Sequence, residues 1–463
     1  MQNEKVSPWY KINSSSLVLL TFATVFFPRV VAAMGVPPVI NFVHFIFVIM
    51  LCAFTLSKIK TKIGSQISKE FLFGLLLLLG LILTSAIVNH AGVINVILDF
   101  LLLSEPFLLI LAIVSIRVSQ ASVKKFRFWI MLFAFIHMGF IFYQVYVMGL
   151  GADPDDIKGV FIGQGFGHHM GGGIVLTAAV YFLLIFKTIP IWVRLFVALL
   201  FFHAMALSDS KQVVVCFLVS FVILLFTKVK KFGVFFQYIS ITIVASVLAL
   251  WSASFVFPGS EYWLNVDLLI RSYEAKYSVF PIIFSYEHSP FNWLFGLGPG
   301  HTIGRLGWLI PDYIQYLQPL GVTTSPVTEA VFLENDTNPL TCAATGSSMF
   351  SLTFTWAGIW GDLGFLGLGA YLYLGFLIWR RLCLDDLSKF FLLNMLIFGA
   401  IFSWMEEPSY MLFMTSLICT QWQAFQMKQQ VTSTSLFKGN SPPTIESIHV
   451  AATRGSKGRY LPN

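Results

Sequence analysis

Charge is what this sequence has least of. Asp, Glu, Lys and Arg supply 11% of its 463 residues, against about 25% in an ordinary soluble domain. So few ionic groups cannot cover a globule of this length with water-facing surface, and a soluble enzyme is excluded. Cysteine is scarce as well. Cys52, Cys216, Cys342, Cys383 and Cys419 are scattered, and only Cys342 lies in the large outer loop. Neither a structural disulfide nor a metal cluster is implied. His-Glu-x-x-His and Cys/His ligand spacings are missing too, so no metal and no cofactor is expected. Period-2 alternation is sparse in the apolar stretches, which argues against a β-barrel. The 29 basic against 22 acidic residues leave +7, but in so apolar a chain the location of charge matters more than its sum, and no nucleic-acid partner follows.

What the sequence has instead is apolar and aromatic: 57% hydrophobic residues, with 48 Phe, 12 Trp and 15 Tyr. A helix needs about 20 mostly apolar residues to cross the hydrocarbon. Windows of that size fall at 16–34, 39–57, 71–89, 95–116, 128–148, 169–187, 191–207, 212–227, 233–257, 351–378, 389–405 and 409–425. The sequence therefore predicts an all-α polytopic membrane protein with about twelve transmembrane helices and a large outer loop between spans nine and ten. The division near 188–211 rests only on Ile189-Pro190 and Ser208-Asp209-Ser210-Lys211.

Basic residues set the orientation. With the N-terminus inside, Lys58, Lys60, Lys62, Lys69, Lys124, Lys125, Arg127, Lys228, Lys230, Lys231, Arg380 and Arg381 all fall on the inner side. Arg29, Lys158, Lys211, Arg271, Lys276 and Arg305 remain outside or within a span. Both termini are thus expected in the cytoplasm. The first apolar run is long and interrupted by Arg29, unlike a cleaved signal. The chain divides into spans one to nine (1–257), the large loop (258–350), spans ten to twelve (351–425) and a tail (426–463). Ser, Thr, Pro and Gly dominate that tail from Val431, a composition that predicts disorder. No internal repeat of the transporter kind is evident.

Three outer stretches carry candidate chemistry. The first runs from Arg271 to Trp308 and contains Gly296, Gly298, Pro299 and Gly300. Its glycines suit either a plain turn or a turn that presents successive N–H groups to an anion. Arg271, Arg305, Glu287, His288 and His301 accompany it, and Phe291, Trp293 and Phe295 suit either sugar stacking or packing. The second is Ser208-Asp209-Ser210-Lys211, which reads as a helix N-cap or, with the lysine at the positive end of the helix dipole, as a phosphate pocket. The third holds Asp362, a partner for an outer arginine or a general base. Asp99 and Glu105 fall on different faces of one helix. His44, His137 and His203 read as satisfied core histidines, adjacent His168 and His169 point apart, and Glu406-Glu407-Pro408 reads as an outer turn that is solvated or, as the lesser alternative, faces the site.

The order of these features resembles the O-antigen ligase/polymerase superfamily of bacterial inner-membrane proteins. LSDSKQVVVCFLVSFVILLF resembles its Ser-(Arg/Lys) helix start, matched by Ser210 and Lys211. RSYEAKYSVFPIIFSYEHSPFNWLFGLGPG resembles its loop motif, matched by Arg271, Gly296, Gly298 and Gly300. ATGSSMFSLTFTWAGIWGDLGFLGLGAYLYLG resembles its return helix. Ligases of the family carry a His-Asn pair before that helix, where this sequence reads Gly346-Ser347-Ser348, so the resemblance favours a polymerase. It implies a periplasmic loop and a glycosyl transfer without a cofactor. The substrate would be a polyprenyl-pyrophosphate-linked oligosaccharide, with a chain-length regulator and a flippase as further partners. On this reading Arg271, His301 and Glu287 are catalytic, and Lys211, Arg305, Ser210, Gly298, Gly300 and His288 bind the pyrophosphate. The rival readings are an O-antigen ligase and a polytopic transporter.

Overall fold

The computed structural model of the chain describes residues 14–57, 62–116, 119–228, 233, 236–244, 247, 265–341 and 348–439. The expected span 233–257 lies largely outside the described residues. So do 342–347, with Cys342 and Gly346-Ser347, and the tail beyond Gly439. Every regular element among the described residues is helical. In chain order these are α1 (Ser14–Phe26), α2 (Pro28–Ala33), α3 (Val43–Leu56), α4 (Lys62–Val88), α5 (Val93–Ser115), α6 (Gln120–Tyr146), α7 (Gly167–Ile185), α8 (Ile191–Leu207) and α9 (Lys211–Phe226). The large loop follows with α10 (Val266–Tyr277), α11 (Val279–Tyr286), α12 (Pro290–Phe295), α13 (Arg305–Leu317) and α14 (Pro326–Thr337). The chain returns through α15 (Thr355–Arg381), α16 (Asp386–Phe398) and α17 (Pro408–Gly439).

Six helices are long and apolar enough to cross a bilayer: Pro38–Leu56, Gly64–Val88, α5, α6, α7 and α15. The apolar segments Ser16–Phe26, Ile191–Leu207 and Lys211–Phe226 are shorter. The chain is therefore an all-helical protein of the polytopic membrane type. Residues 408–423 of α17 are buried on every face, as an apolar helix must be at the centre of a bundle. It packs on α5, α6, α16 and α1. Large side chains such as Phe73 and Leu76 on α4 and Trp192, Phe196 and Leu199 on α8 stay exposed, a surface suited to lipid rather than water. Helix α17 continues through Gly439, so the stretch expected to be disordered from 426 begins as helix.

The large loop is folded and welded to the membrane helices. Val279, Ile283, Val327 and Val331 share a core with Leu352, Phe354 and Trp360 at the head of α15. Leu306, Ile310 and Tyr313 of α13 bury themselves against Phe45 of α3 and Leu98 and Leu102 of α5. The weld is backbone against backbone at one point. Helix α15 is broken at Gly364, with φ 67°, and α12 ends at Gly296, with φ 77°. A Cβ on Gly364 would lie 2.4 Å from the Leu294 carbonyl carbon, and one on Gly296 would lie 2.3 Å from the Asp362 carbonyl. Both positions combine a left-handed backbone with no room for a side chain.

Replacing Gly364 by Ala should therefore cost about 1–3 kcal/mol through strain and overpacking. It is expected to lower the thermal unfolding midpoint of the detergent-solubilised protein. An unchanged midpoint would show that the break in α15 tolerates a side chain.

Candidate functional site

The site is built outward from the glycine turn. Ser289 caps α12: its hydroxyl accepts from the Asn292 N–H while the Asn292 side chain accepts from the Ser289 N–H. After Gly296 the chain runs along the N-terminal part of α15, with the Leu297 N–H donating to the Gly361 carbonyl at 2.8 Å and the Gly298 N–H to the Asp362 carbonyl at 3.1 Å. It then curls around the Asp362 carboxylate. Gly300 N–H donates to Oδ2 at 3.0 Å, Thr302 N–H to Oδ1 at 2.8 Å, and the Thr302 hydroxyl to Oδ1 at 2.5 Å. The turn is thus an anion nest, as its glycines permit, but its anion is the protein's own. Gly298 and Gly300 spend their N–H groups on Asp362 rather than on a pyrophosphate. Asp362 in turn is held by backbone and a threonine instead of an outer arginine.

His301 belongs to the same clamp. It is 4% exposed. Its Nδ1 donates to the Leu297 carbonyl at 3.1 Å, which leaves Nε2 to accept from the Thr323 hydroxyl at 2.9 Å. Burial lowers its pKa from the usual histidine range. Both ring nitrogens are engaged, so it braces the turn. On the membrane side, Asn95 of α5 donates to the Pro299 and Thr323 carbonyls at 3.0 and 2.9 Å, and Asn89 donates to the Gly296 carbonyl at 3.0 Å.

The nest delivers the next residues to a pocket. Arg305 opens α13, and its N–H donates to Oε2 of Glu406 at 2.7 Å. Its guanidinium pairs with Glu407 at 2.8 Å. Both glutamates are buried, at 2% and 8% exposure, where the sequence led to a solvated turn. The large loop covers that turn and supplies its cation. The pocket beside this pair is lined by Arg29, His44, Gln164, Arg305, Tyr313 and Glu407. These come from α2, α3, the 149–166 connection, α13 and the head of α17. Arg29 has no ion pair or hydrogen bond among the described residues. Asn41 donates to the Tyr313 hydroxyl at 3.0 Å, tying the start of the second apolar run to α13.

His44 differs from the other histidines that read as core residues. His137 accepts from the Val160 N–H and donates to the Gly171 carbonyl, and His203 meets the Tyr146 hydroxyl. His44 instead has Nδ1 2.6 Å from Oε1 of Glu105 on α5, with the residues 6% and 1% exposed. The signal for Arg29, His44 and Glu105 was present: each is ionisable within or beside an apolar run, where charge is costly. Their convergence was not visible along the chain.

The remaining expected residues lie elsewhere. Arg271 is exposed on α10, with no ion pair among the described residues. Lys211 pairs with Asp209 at 2.8 Å. Ser210 occupies the N-cap of α9 without a side-chain cap. Its hydroxyl donates to the His168 carbonyl at 2.9 Å. The rings of His168 and His169 lie together, 3.9 Å between centres, rather than apart. Glu287 and His288 line a separate open cleft beside Trp293, whose ring stacks on Phe284 and Phe365. Both carboxyl oxygens of Glu287 are buried without a hydrogen-bond partner among the described residues. Desolvation pushes its pKa up to about 7. Among the described residues no group of three His, Cys, Asp or Glu side chains converges as metal ligands do.

No protein-family model matches the chain, and no curated protein matches it in sequence.

The raised acid of Glu287 has a signed consequence. Between its ordinary 4.5 and about 7 the folded chain holds a proton that the unfolded chain has released. Its contribution to stability is therefore greatest below about 4.5 and falls as pH rises to about 7. Glu287→Gln should raise the unfolding midpoint at pH 8 and leave it nearly unchanged at pH 4.5, measured in detergent. An equal shift at both values would place the carboxyl in water.

Proposed function

We propose that the chain is a bacterial inner-membrane polymerase that joins polyprenyl-pyrophosphate-linked oligosaccharide repeat units into a surface polysaccharide on the periplasmic face. The observation that carries this reading is the meeting of Arg29 and Arg305, from distant parts of the chain, in one pocket of an apolar helical bundle. In the proposed topology about twelve spans place both termini in the cytoplasm and this pocket outside.

The chemistry asks for such a pocket. A hydroxyl of one repeat unit attacks the anomeric carbon of a lipid-linked chain, the bond from that carbon to the phosphate oxygen breaks, and the hydroxyl proton passes to a base. The lipid pyrophosphate leaves with added negative charge. Guanidinium groups match phosphate geometry through paired N–H donors and keep their charge when partly desolvated. Fixed donors aimed at the developing charge stabilise the transition state without reorganising during the reaction. Arg305 is preorganised by Glu407, and Arg29 has its side-chain donors uncommitted among the described residues. The polyprenyl tail would lie along the exposed apolar helix faces. A flippase would supply the lipid-linked unit and a chain-length regulator would end extension. The acceptor glycan finds exposed aromatic surface at Trp293 and Phe291.

The test is deletion of the gene and complementation with variants, read as the length ladder of surface glycan on gels. Arg305→Ala and Arg29→Ala should each reduce chain extension about 100-fold or more, leaving glycans of one repeat unit. Arg271→Ala should keep most extension, because its side chain stands outside the pocket. Loss of all glycan from the acceptor would favour a ligase. An unchanged ladder on deletion would remove both enzymes and leave a transporter.

A further inference from the structure

We infer that His44, oriented by Glu105, is the general base of the Arg29–Arg305 pocket. The inference rests on the glycosyl-transfer reading above and assigns the proton that the reaction must move. Nδ1 of His44 donates to Oε1 of Glu105 at 2.6 Å. A neutral imidazole that donates through Nδ1 carries its lone pair on Nε2. His44 lines the pocket, and Nε2 has no hydrogen-bond partner among the described residues. The second oxygen of Glu105, Oε2, is buried and equally without a partner, so His44 is the donor that holds this carboxylate. A buried acid in an apolar helix is costly unless paired or functional. A carboxylate behind a histidine fixes its tautomer and stabilises the imidazolium that forms when it takes a proton.

The step balances within the pocket. Nε2 takes the proton of the acceptor hydroxyl, the oxygen bonds to the anomeric carbon, and the carbon–oxygen bond to the phosphate breaks with its electron pair leaving on the pyrophosphate. Arg29 and Arg305 hold that anion. The imidazolium then returns its proton to water or to the departing phosphate. His44 touches the reacting hydroxyl, and Glu105 acts through it as a positioning residue.

The test uses full-length protein in detergent and in lipid vesicles. Diethyl pyrocarbonate attacks neutral imidazole, so the pH dependence of His44 modification, read by mass spectrometry, reports its titration. The groups facing it are Glu105 behind, and Arg29, Arg305, Tyr313 and Glu407 across the pocket. Glu105→Gln should move the modification curve to lower pH, and inorganic pyrophosphate should slow the modification. In vesicles, His44→Gln should lower kcat for chain extension about 100-fold or more, as expected for loss of a general base, with KM for the lipid-linked donor little changed. Glu105→Gln should lower kcat and shift the acid limb of the rate profile to lower pH. The double variant His44→Gln/Glu105→Gln, which removes both ionisable groups and keeps hydrogen-bonding side chains, should fold and remain as inactive as His44→Gln. Chain extension above a tenth of wild type in His44→Gln, or a modification curve unmoved by Glu105→Gln, overturns the assignment alone. A wild-type chain that extends no glycan overturns the polymerase reading and the base with it.

Discussion

Carboxylates buried in an apolar helical bundle are the constraint on which this structure turns. Asp362, Glu105 and Glu406 are each at most 2% exposed, where an unpaired charge is costly by several kcal/mol. Each is met by a donor from another part of the chain, and the donors to Asp362 and Glu406 position the large loop. Asp362 takes the N–H groups of Gly300 and Thr302, Glu406 takes the N–H of Arg305, and Glu105 takes the His44 ring. The first two bonds bracket the start of α13 from two sides. Since Arg305 is the first residue of that helix, its place over the pocket follows from where two acids need backbone donors.

The same constraint explains why the glycines and their company divide in function. A turn rich in glycine suits any anion that its N–H groups can surround, and here an internal carboxylate fills it. The cations close by are then left to do different work. Lys276 donates to the Ser351 and Ile401 carbonyls at 3.0 and 2.9 Å, fastening α10 to the return segment. Lys211 answers Asp209. Arg29 and Arg305 are the cations that line the pocket with Glu407, so these guanidinium groups gather there rather than at the glycine turn.

Much of the architecture was legible along the chain because long apolar runs in a charge-poor sequence admit few folds. The large loop was legible for the same reason: polar segments between such runs stand out. Asp362 stood out as an acid inside an apolar run, where charge is costly, but its partners, the Gly300 and Thr302 N–H groups, could not be read from it. What the runs could not reveal was pairing across the bundle. Three histidines looked alike in sequence, yet His137 and His203 meet backbone or a tyrosine, and His44 meets an acid on a neighbouring helix. Glu406-Glu407-Pro408 read as solvated because a turn between spans usually is. The loop that covers it lies about a hundred positions earlier, and no local pattern records that contact. The stretch from Val431 read as disordered by composition, and the helix that enters it from the bundle carries on to Gly439, as helix propagation is cheaper than nucleation.

Adjacent glutamates at the head of α17 show how anchoring and chemistry are joined. Glu406 holds the backbone of Arg305 and Glu407 holds its guanidinium, so the main chain and the charged tip are fixed by consecutive residues of the turn that leads into α17. A cation held at only one of these points would swing, and a bound diphosphate would have to order it at an entropic cost. Held at both, Arg305 can surrender part of its pairing with Glu407 to a ligand without leaving its place. The acid that holds it also keeps the pocket from carrying two uncompensated guanidinium groups in a low-dielectric setting, where their repulsion would be strongest. Arg29 is the opposite case: with no protein partner among the described residues, its interaction with an arriving anion is not reduced by the loss of an existing bond. One preorganised and one uncommitted guanidinium together suit a group that gains negative charge, as the leaving pyrophosphate would in the proposed transfer.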